Sequence, residues 1–513
     1  MSTQTDVQDA PQPALPPGDF LGHPKALWQL FNIELWERFA YYGMRAVLAI
    51  YIADAFFDHL GEAEANQQSG LIYGGYTALV YATGILGGYV ADKVLGYQRS
   101  ILLGAIIMAS GLFVLLIEDF TWFLLGLALI VAGNGLFKPN ISVMIGKLYA
   151  PGDARRDSGF TIFYMGINLG AFLAPMVTST WIGVNYGMKY GFLAAGIGMI
   201  LSTLFLEFAK KSLGHVGLPD EGKDGWGRFF AVGLGGLGLA VVVYFLLRAS
   251  TVLGFVMVGS MLFMAVYLIR SGIQKGKVQL QRYIAMLLLF LANTCFWALF
   301  EQAGSSLNVF AREFTTPMDL GGVLSWSAAE WRDGGFAIFQ SLNPLYILLF
   351  APVFAAAWPK LENMGMNPST PRKFALALFQ VAAGFYLLVF AVSNMQDAAG
   401  LVPWIFLALC YLLHTTGELC LSPIGLSMVT KLADEHETGI AMGGWFMSIA
   451  MAQYVGGIIA YLAAGGGGHA AANGLSITQY SSTFMQLVYL GVAFGVVYFI
   501  AAPFINKLMH GVK

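Results

Sequence analysis

Fourteen apolar stretches, most of them about 20 residues long, follow one another along this chain and constrain its fold more than any other feature. A helix of about 20 apolar residues is long enough to span the ~30 Å hydrocarbon core of a bilayer. Only 11% of the residues are charged and 57% are hydrophobic, whereas soluble domains average about 25% and 45–50%. The sequence therefore predicts an all-α integral membrane protein of fourteen helices.

The apolar stretches fall into three groups. Six lie between residues 27 and 208, and six lie between residues 284 and 505. Between them, Phe229–Leu247 and Val252–Leu268 are separated by a few residues and predict a transmembrane hairpin. Six helices on each side of an insert are typical of transporters built from two halves with a binding site between them. The predicted units are a polar N-terminal segment (1–26), an N-terminal six-helix bundle (27–210), a linker with the hairpin (211–283), a C-terminal six-helix bundle (284–506) and a tail (507–513).

The distribution of basic residues predicts the orientation. An even number of spans places both termini on one side of the membrane. If that side is cytoplasmic, the outer loops carry only Lys189, Arg248, Arg312 and Arg332 of the 27 Lys and Arg residues, and three more lie inside helices. All the others fall in cytoplasmic segments, as the positive-inside rule requires. We therefore expect a multi-pass protein of the cell inner (plasma) membrane with both termini cytoplasmic.

Several classes of function are not expected. No basic stretch interleaves with aromatic residues, so no nucleic acid partner is predicted. Cys295, Cys410 and Cys420 lack metal-ligand spacing. No Walker loop and no HExxH, GxGD or GxSG motif is present, so we expect neither a metal, nor a cofactor, nor an enzyme. No soluble segment is large enough for a signalling receptor.

Charged residues inside the predicted spans are the strongest functional signal. Each ionised side chain at the bilayer centre costs about 2.5–3.5 kcal/mol on insertion scales, so such residues are rare unless they function. Seven stand well inside the spans, and those of the first helix recur every three or four residues and so share one face: Glu34, Glu37, Arg38, Arg45, Lys138, Glu301 and Glu418. Four carboxylates against three cations leave one carboxylate free to bind a proton. The alternative is that these charges form static ion pairs between helices.

Several motifs resemble those of the proton-coupled oligopeptide transporters (the POT, or PTR, family) of the major facilitator superfamily. The first helix reads ELWERFAYYGMR, similar to the family's ExxER signature, and GGYVADKVLGYQR is similar to the superfamily's GxxADxxxG loop. LFKPNI, FYMGINLGA, FWALFEQAGSS and GELCLSPIG follow in the family's order. The resemblance covers nearly the whole chain, and the chain looks like a prokaryotic member of the family. It implies the major facilitator fold, with two six-helix bundles and a hairpin insert.

The resemblance also implies residue roles. Glu34, Glu37 and Arg38 match the proton-coupling signature, and Arg45–Glu301 and Lys138–Glu418 match gating salt bridges. Substrate-binding positions are matched by Arg38, Tyr41, Tyr42, Tyr81, Lys138, Asn168, Trp297, Asn343, Glu418, Ser422 and Trp445. From the residues alone, Trp297 and Trp445 could equally be anchors or packing residues.

The function that the resemblance implies is proton-coupled symport of di- and tripeptides by alternating access. Its partners would be peptides, protons and membrane lipid, with protons as the coupling ion and no cofactor. The alternative is a divergent member that transports nitrate or another small solute; such members typically lose the first-helix glutamates, and this chain retains Glu34 and Glu37. Gly74 stands where animal members have a histidine, which argues against histidine-based coupling. The oligomeric state is left open.

Overall fold

The structure is a computed structural model, and it describes residues 19–150, 153, 155–219, 225–322, 324–466 and 474–512. Within this part of the chain, thirteen helical segments are long and apolar enough to cross a membrane. The first helix, Lys25–Phe56, has 32 residues and is also long enough to cross a membrane, but its charged residues make it less apolar. Together they make the fourteen predicted spans.

The first six spans form the first half of the molecule. Two stretches of π-helix (Ala91–Leu95 and Thr178–Gly183) extend α3 and join α6 to α7, so that α2 with α3, and α6 with α7, each form one span. The helices of this half are α1 (Lys25–Phe56), α2 (Glu62–Ala82), α3 (Gly84–Val90), α4 (Tyr97–Val114), α5 (Phe120–Lys147), α6 (Arg156–Val177), α7 (Val184–Tyr186) and α8 (Met188–Leu213).

The hairpin and the second half complete the chain. The hairpin helices are α9 (Trp226–Arg248) and α10 (Ser250–Lys275). The second half contains α11 (Lys277–Phe300), α12 (Ser306–Phe314), α13 (Ala328–Asp333), α14 (Leu342–Asn363), α15 (Thr370–Asn394), α16 (Trp404–Leu432), α17 (Thr438–Ala463) and α18 (Ile477–Leu508). Turns of 3-10 helix at Asp58–Leu60, Glu301–Gly304 and Gly335–Ser341 link or extend these elements, and the strand pair β1 (Asp19–Phe20) and β2 (His23–Pro24) precedes α1.

Local sequence explains several helix ends and helix pairs. The side chain of Asp119 accepts hydrogen bonds from the backbone N–H groups of Thr121 and Trp122 and caps α5. Glycines let α4 and α5 lie backbone to backbone: a Cβ at Gly104 would lie 2.6 Å from the carbonyl oxygen of Gly133. Small residues at helix crossings are the usual means of packing helices closely in a membrane.

Helix ends differ from the predicted unit boundaries by a few residues. α8 continues to Leu213 and α11 begins at Lys277, so both helices extend into the segment predicted as linker, 211–283. The predicted polar segment contains the β1–β2 pair, while its residues 1–18 lie outside the described residues. These polar or charged helix ends were missed because hydropathy marks only the apolar part of a helix.

Successive spans cross in alternate directions, which gives the molecule two faces. We call the face on which α1 begins and α18 ends the terminal face, and the other the opposite face. The two halves meet along α2 and α17 and along α6 and α14.

Candidate functional site

A buried cluster of three charges occupies the middle of α1. Arg38 donates hydrogen bonds through Nε and Nη2 to the two carboxylate oxygens of Glu37, the Nη2 bond being 2.7 Å long. The Nε atom of Arg38 also lies 3.2 Å from Oε1 of Glu34. All three side chains are almost fully buried, and Oε2 of Glu34 has no hydrogen-bond partner. Because a buried oxygen without a partner is costly when charged, this oxygen is a suitable place for a proton.

The helix α5 adds two polar groups to the cluster on α1. Asn134 donates a 3.4 Å hydrogen bond to Oε1 of Glu37. Lys138 lies one helical turn further on, and its Nζ is 4.4 Å from the centroid of the Tyr81 ring. Such a cation over an aromatic face is held by electrostatic attraction without being neutralised. Lys138 thus adds a second basic side chain to this region of the first half.

Two tyrosines on α1 flank Arg38. Its guanidinium carbon lies 5.3 Å from the centroid of the Tyr41 ring and 6.0 Å from that of Tyr42. The rings contact each other edge to face, with centroids 5.3 Å apart. They continue the face of α1 on which the charges lie, as the spacing predicts. One face of α1 thus presents cationic, acidic and aromatic groups together.

The second half contributes a carboxylate of its own. Nδ2 of Asn343 on α14 donates a 2.8 Å hydrogen bond to Oε2 of Glu418 and lies 3.0 Å from Oγ1 of Thr415, both on α16. Asn168 on α6 belongs to the facing half and donates to the backbone oxygen of Tyr164. The N-terminal half therefore holds a lysine and an arginine, and the C-terminal half holds a glutamate. This arrangement suits a ligand that carries one positive and one negative end.

Contacts between the halves close the molecule toward the opposite face. Arg45 donates to Glu301 across the interface and also lies 2.5 Å from the hydroxyl oxygen of Tyr73. Asn308 donates a 2.7 Å hydrogen bond to the backbone oxygen of Ala46. These groups lie in the halves of α1 and α2 next to the opposite face, and in the α11–α12 junction that meets them. Access from that face is therefore blocked in this structure.

On the side of the terminal face, the halves meet at α3 and α17, where a Cβ at Gly443 would lie 3.4 Å from Cδ1 of Ile85. Among the described residues, no ion pair joins Lys138 to Glu418, because Glu418 is held by Asn343 instead. Tyr164 is 42% exposed and Tyr89 is 66% exposed, and both lie in the parts of their helices next to the terminal face. The polar contacts of Arg45 with Glu301 and of Asn308 with Ala46 therefore join the halves on the side of the opposite face.

Comparison with known proteins fits this arrangement. Residues 98–473 match the profile of the POT family. The chain belongs to the POT family. It is 35% identical to the peptide transporter YePEPT of Yersinia enterocolitica over 96% of the chain and 97% of the relative. It is 33% identical to the dipeptide and tripeptide permease B of Aliivibrio fischeri over 95% and 96%.

Solved POT structures share the fold over almost the whole chain. A crystal structure of peptide transporter POT, as a mutant in complex with alafosfalin, superposes with a TM-score of 0.80 at 35% sequence identity. The superposition covers 97% of this chain and 98% of the other. The expected major facilitator architecture and the family assignment are therefore confirmed. The roles of individual residues are not tested by these comparisons and remain predictions.

Of the predicted site residues of this POT chain, the contacts join Glu34, Glu37, Arg38, Tyr41 and Tyr42 on α1, Lys138 with Tyr81, and Asn343 with Glu418. Glu34, Glu37, Arg38, Tyr41, Tyr42, Tyr81, Lys138 and Asn168 come from the first half, and Trp297, Asn343, Glu418 and Ser422 from the second. Trp297 is buried against Phe296 and Phe300, and its indole N–H has no hydrogen-bond partner. The side chain of Ser422 is partly exposed.

Two expectations differ from the structure. Trp445, expected to line the pocket, is buried on α17 between the Phe290 and Phe374 rings and directly over Gly425. It packs the second half instead, since a tryptophan fits the space that a glycine leaves. The expected Lys138–Glu418 salt bridge is not formed in this structure, in which Glu418 accepts a hydrogen bond from Asn343 and Lys138 lies over the Tyr81 ring.

Three polar contacts were missed in the sequence. Tyr73 is uncharged and so was not selected, although its hydroxyl oxygen accepts a hydrogen bond from Nε of Arg45. Asn134 precedes Lys138 by one turn on the same face, and this spacing could have identified it as a neighbour of the α1 cluster. Thr415 lies just before the GELCLSPIG motif, which begins at Gly417, and belongs to no pattern of its own.

Proposed function

We propose that this protein is a proton-coupled symporter of di- and tripeptides that works by alternating access. The observation that carries the proposal is the division of charge between the halves: Arg38 and Lys138 on one side, and Glu418 on the other. A short peptide has an ammonium group and a carboxylate, so cations on one half and an anion on the other would recognise its two ends. Selection by the ends leaves the side chains free to vary.

The relatives support this choice of substrate. One is named a dipeptide and tripeptide permease, and one POT structure holds the peptide analogue alafosfalin. The site requires no larger ligand, since the recognising groups lie on helices that face each other across one space. Transport of nitrate or another small solute is the alternative, but it leaves Glu418 without a cationic partner.

The proton would bind among Glu34, Glu37 and Arg38. Glu37 is paired with Arg38 through two hydrogen bonds, while Glu34 has one oxygen without a partner. Movement of Arg38 toward a peptide carboxylate would weaken its hold on these glutamates and change their proton affinity. The membrane potential supplies about 2.3 kcal/mol for one charge moved through 100 mV, and a pH gradient adds to it.

We further propose that the terminal face is cytoplasmic, in the inner (plasma) membrane, and that the protein acts without an enzymatic step or a cofactor. The bias of Lys and Arg toward the terminal-face segments supports the orientation. Among the described residues, no group of His, Cys, Asp and Glu could hold a metal ion. In the proposed orientation, the contact between Arg45 and Glu301 lies toward the outside of the cell.

Uptake into proteoliposomes tests the proposal. Labelled dialanine would be supplied with and without an inward proton gradient, and counterflow without a gradient would be measured in parallel. Wild type should accumulate the peptide only with the gradient. Glu34→Gln and Glu37→Gln should lose driven uptake but keep counterflow, because binding of the peptide ends remains. Glu418→Gln should lose both.

The control is Glu64→Gln, since Glu64 is exposed in the first turn of α2 and lies in no ion pair among the described residues. This variant should behave as wild type. Accumulation of nitrate in place of peptide by the wild type would contradict the substrate assignment while leaving the family assignment unaffected. Driven uptake by Glu34→Gln and Glu37→Gln at the wild-type rate would contradict the coupling assignment.

A further inference from the structure

The hairpin α9–α10 is divided between the two halves of the molecule. α9 lies against α4 and α5 of the first half, whereas α10 lies against α11 and α17 of the second half. The contacts between α9 and α10 themselves are fewer than those that either makes with its own half. This is unusual for a hairpin with a one-residue connection, Ala249, because helices joined by a short loop normally pack on each other.

Specific contacts fix α9 to the first half. A Cβ at Gly236 would lie 3.2 Å from Cδ1 of Ile107 on α4, and one at Gly233 would lie 3.6 Å from Cδ1 of Leu103. At the terminal face, the guanidinium of Arg99 lies over the ring of Trp226, 5.5 Å from its centroid. α9 is thus held by the first half along much of its length.

Polar contacts fix the terminal-face end of α10 to the second half. The hydroxyls of Ser271 and Tyr267 on α10 donate hydrogen bonds of 2.7 and 3.2 Å to the carboxylate of Glu437, which precedes α17, and Tyr283 of α11 donates to the same carboxylate. Lys275 at the end of α10 lies 2.8 Å from Asp434. Lys275 also lies 3.3 Å from Glu437, so two hydroxyls and one ammonium group of α10 anchor it at this carboxylate, and charge-assisted hydrogen bonds are the stronger ones.

This anchor favours an ionised Glu437. Desolvation raises its pKa, but the hydrogen bonds from Ser271 and Tyr283 outweigh that effect and hold the pKa of Glu437 below its usual value. The anchor is therefore fully formed at neutral pH. It joins α10 directly to the start of α17, whose remaining length forms part of the seam between the halves.

The tip of the hairpin contacts both halves of the molecule. Leu247 of α9 and Leu253 of α10 both contact α2 at Gly75, where a Cβ would lie 3.7 and 3.0 Å from their side chains. On the other side of the tip, Tyr454 of α17 donates a 3.1 Å hydrogen bond to the backbone oxygen of Ser250. The tip therefore lies where α2 and α17 meet, and the two helices run from it to different halves.

We propose that the hairpin is a strap across the α2–α17 seam: α9 moves with the first half, α10 moves with the second half, and the tip is the pivot. When the halves separate on the terminal face, the legs of the strap separate with them, and when the halves close there the legs approach. The strap covers the seam from lipid and limits how far the terminal face opens. Its outer surface carries exposed apolar side chains such as Phe230 and Phe263, as a lipid-facing surface should.

Crosslinking in a variant without Cys295, Cys410 and Cys420 tests the strap. One cysteine pair, Leu103→Cys with Gly233→Cys, joins α9 to the first half. A second pair, Ser271→Cys with Glu437→Cys, replaces the polar anchor of α10 by a covalent one when a short bis-thiosulfonate is added. Neither crosslink should stop dialanine exchange in proteoliposomes, because each joins elements that move together.

A positive control joins the halves themselves. Ile85→Cys on α3 and Gly443→Cys on α17 lie across the seam, since a Cβ at Gly443 would lie 3.8 Å from Cγ1 of Ile85. This crosslink should stop exchange, and reduction should restore it. A further pair joins Phe230→Cys on α9 to Ile273→Cys on α10, near the terminal-face ends of the two helices. The shortest reagent that links this pair should also stop exchange, because it fixes the distance between α9 and α10.

Three outcomes would overturn the proposal. Loss of exchange on crosslinking α9 to α4 would show that α9 does not move with the first half, and loss on crosslinking Ser271→Cys to Glu437→Cys would show the same for α10 and the second half. Unchanged exchange with the two legs joined would show that the hairpin moves as one body. The assay rests on the proposed function, but exchange by the reduced variants tests that function separately, and only the ratio of crosslinked to reduced rates tests the strap.

Discussion

Replacing Gly74 by alanine should open the molecule toward the opposite face. α2 and α17 cross at this glycine, and a Cβ there would lie 2.5 Å from Cα of Gly457, 2.8 Å from its nitrogen and 2.9 Å from the backbone oxygen of Gln453. Ordinary contacts of this kind are 3.4 Å or longer. All three neighbours are backbone atoms, so no side-chain rotation can relieve the overlap, and the helices must separate.

The size of the effect follows from the geometry. Overpacking of this kind costs about 1–3 kcal/mol. The cost applies only while α2 and α17 are in contact, so it destabilises the state closed on the opposite face and not the state open there. The equilibrium between the two states should therefore shift by roughly 5- to 150-fold toward opening.

Labelling of a gate residue measures this shift. Ser305 is buried at the α11–α12 junction and lines a gap of about 10 Å³ with Ser69 and Gly70. In a variant without the natural cysteines, Ser305→Cys should react with a membrane-impermeant maleimide from the opposite face only when that face opens. Gly74→Ala should raise the labelling rate in proportion to the shift.

Gly88→Ala is the matched control, because a Cβ at Gly88 would have no heavy atom within 4 Å. It should leave the labelling rate unchanged. Size-exclusion chromatography of each variant separates a conformational shift from loss of folding. If folded Gly74→Ala labels at the rate of the Gly88→Ala control, the close crossing of α2 and α17 does not close the opposite face, and the reasoning is wrong.

Three further effects are expected in the uptake and labelling assays. Asp54→Asn removes an exposed ion pair with Arg312 that joins α1 to α12, with nitrogen and oxygen 2.8 Å apart; because such pairs contribute about 0.2–1 kcal/mol, labelling of the gate cysteine should rise less than with Gly74→Ala. Tyr73→Phe removes a hydrogen bond to a buried charge, worth about 1.5–3 kcal/mol, and should raise gate labelling more than Asp54→Asn. Asn134→Leu removes a donor to Glu37 and should reduce gradient-driven uptake while counterflow persists.

For each of these expectations, one result would contradict it. Gate labelling that depends on salt concentration as strongly in Asp54→Asn as in wild type would show that the ion pair does not help to close the gate, since salt acts on the gate by screening the pair that the variant lacks. Equal labelling of Tyr73→Phe and wild type would show that Arg45 is held by Glu301 alone. Loss of counterflow in Asn134→Leu would show that Asn134 acts on binding and not on coupling.

The sequence predicts the fold well because lipid imposes a simple rule. Every spanning segment must be a long apolar helix, so hydropathy finds the spans and the basic residues orient them. The α1 cluster is also predictable, because Glu34, Glu37 and Arg38 are spaced to share one helical face. Their pairing, and the free oxygen of Glu34, depend on distances that spacing does not give.

Other features depend on tertiary packing and leave no signal along the chain. Trp445 is apolar on an apolar helix, and nothing local distinguishes a side chain that faces the space between the halves from one packed over Gly425 on a neighbouring helix. The division of α9 and α10 between the halves is hidden for the same reason. Lys138 and Glu418 were paired from the resemblance, which describes no particular state of the transport cycle.

The partner of Glu418 leads to a final prediction. In this structure Glu418 is bonded to Asn343 and not to Lys138. A carboxylate that loses a buried donor is destabilised by about 1–3 kcal/mol, so Asn343→Leu should disfavour this state and favour one in which the halves close on the terminal face and Lys138 approaches. Tyr164→Cys, at a position exposed in this structure, should then be labelled more slowly from the terminal face. The same Asn343→Leu change in a Glu418→Gln background should have a smaller effect, because a neutral amide gains less from a lysine. Equal slowing in both backgrounds would mean that Asn343 acts through packing, and that Glu418 does not exchange partners between the two states.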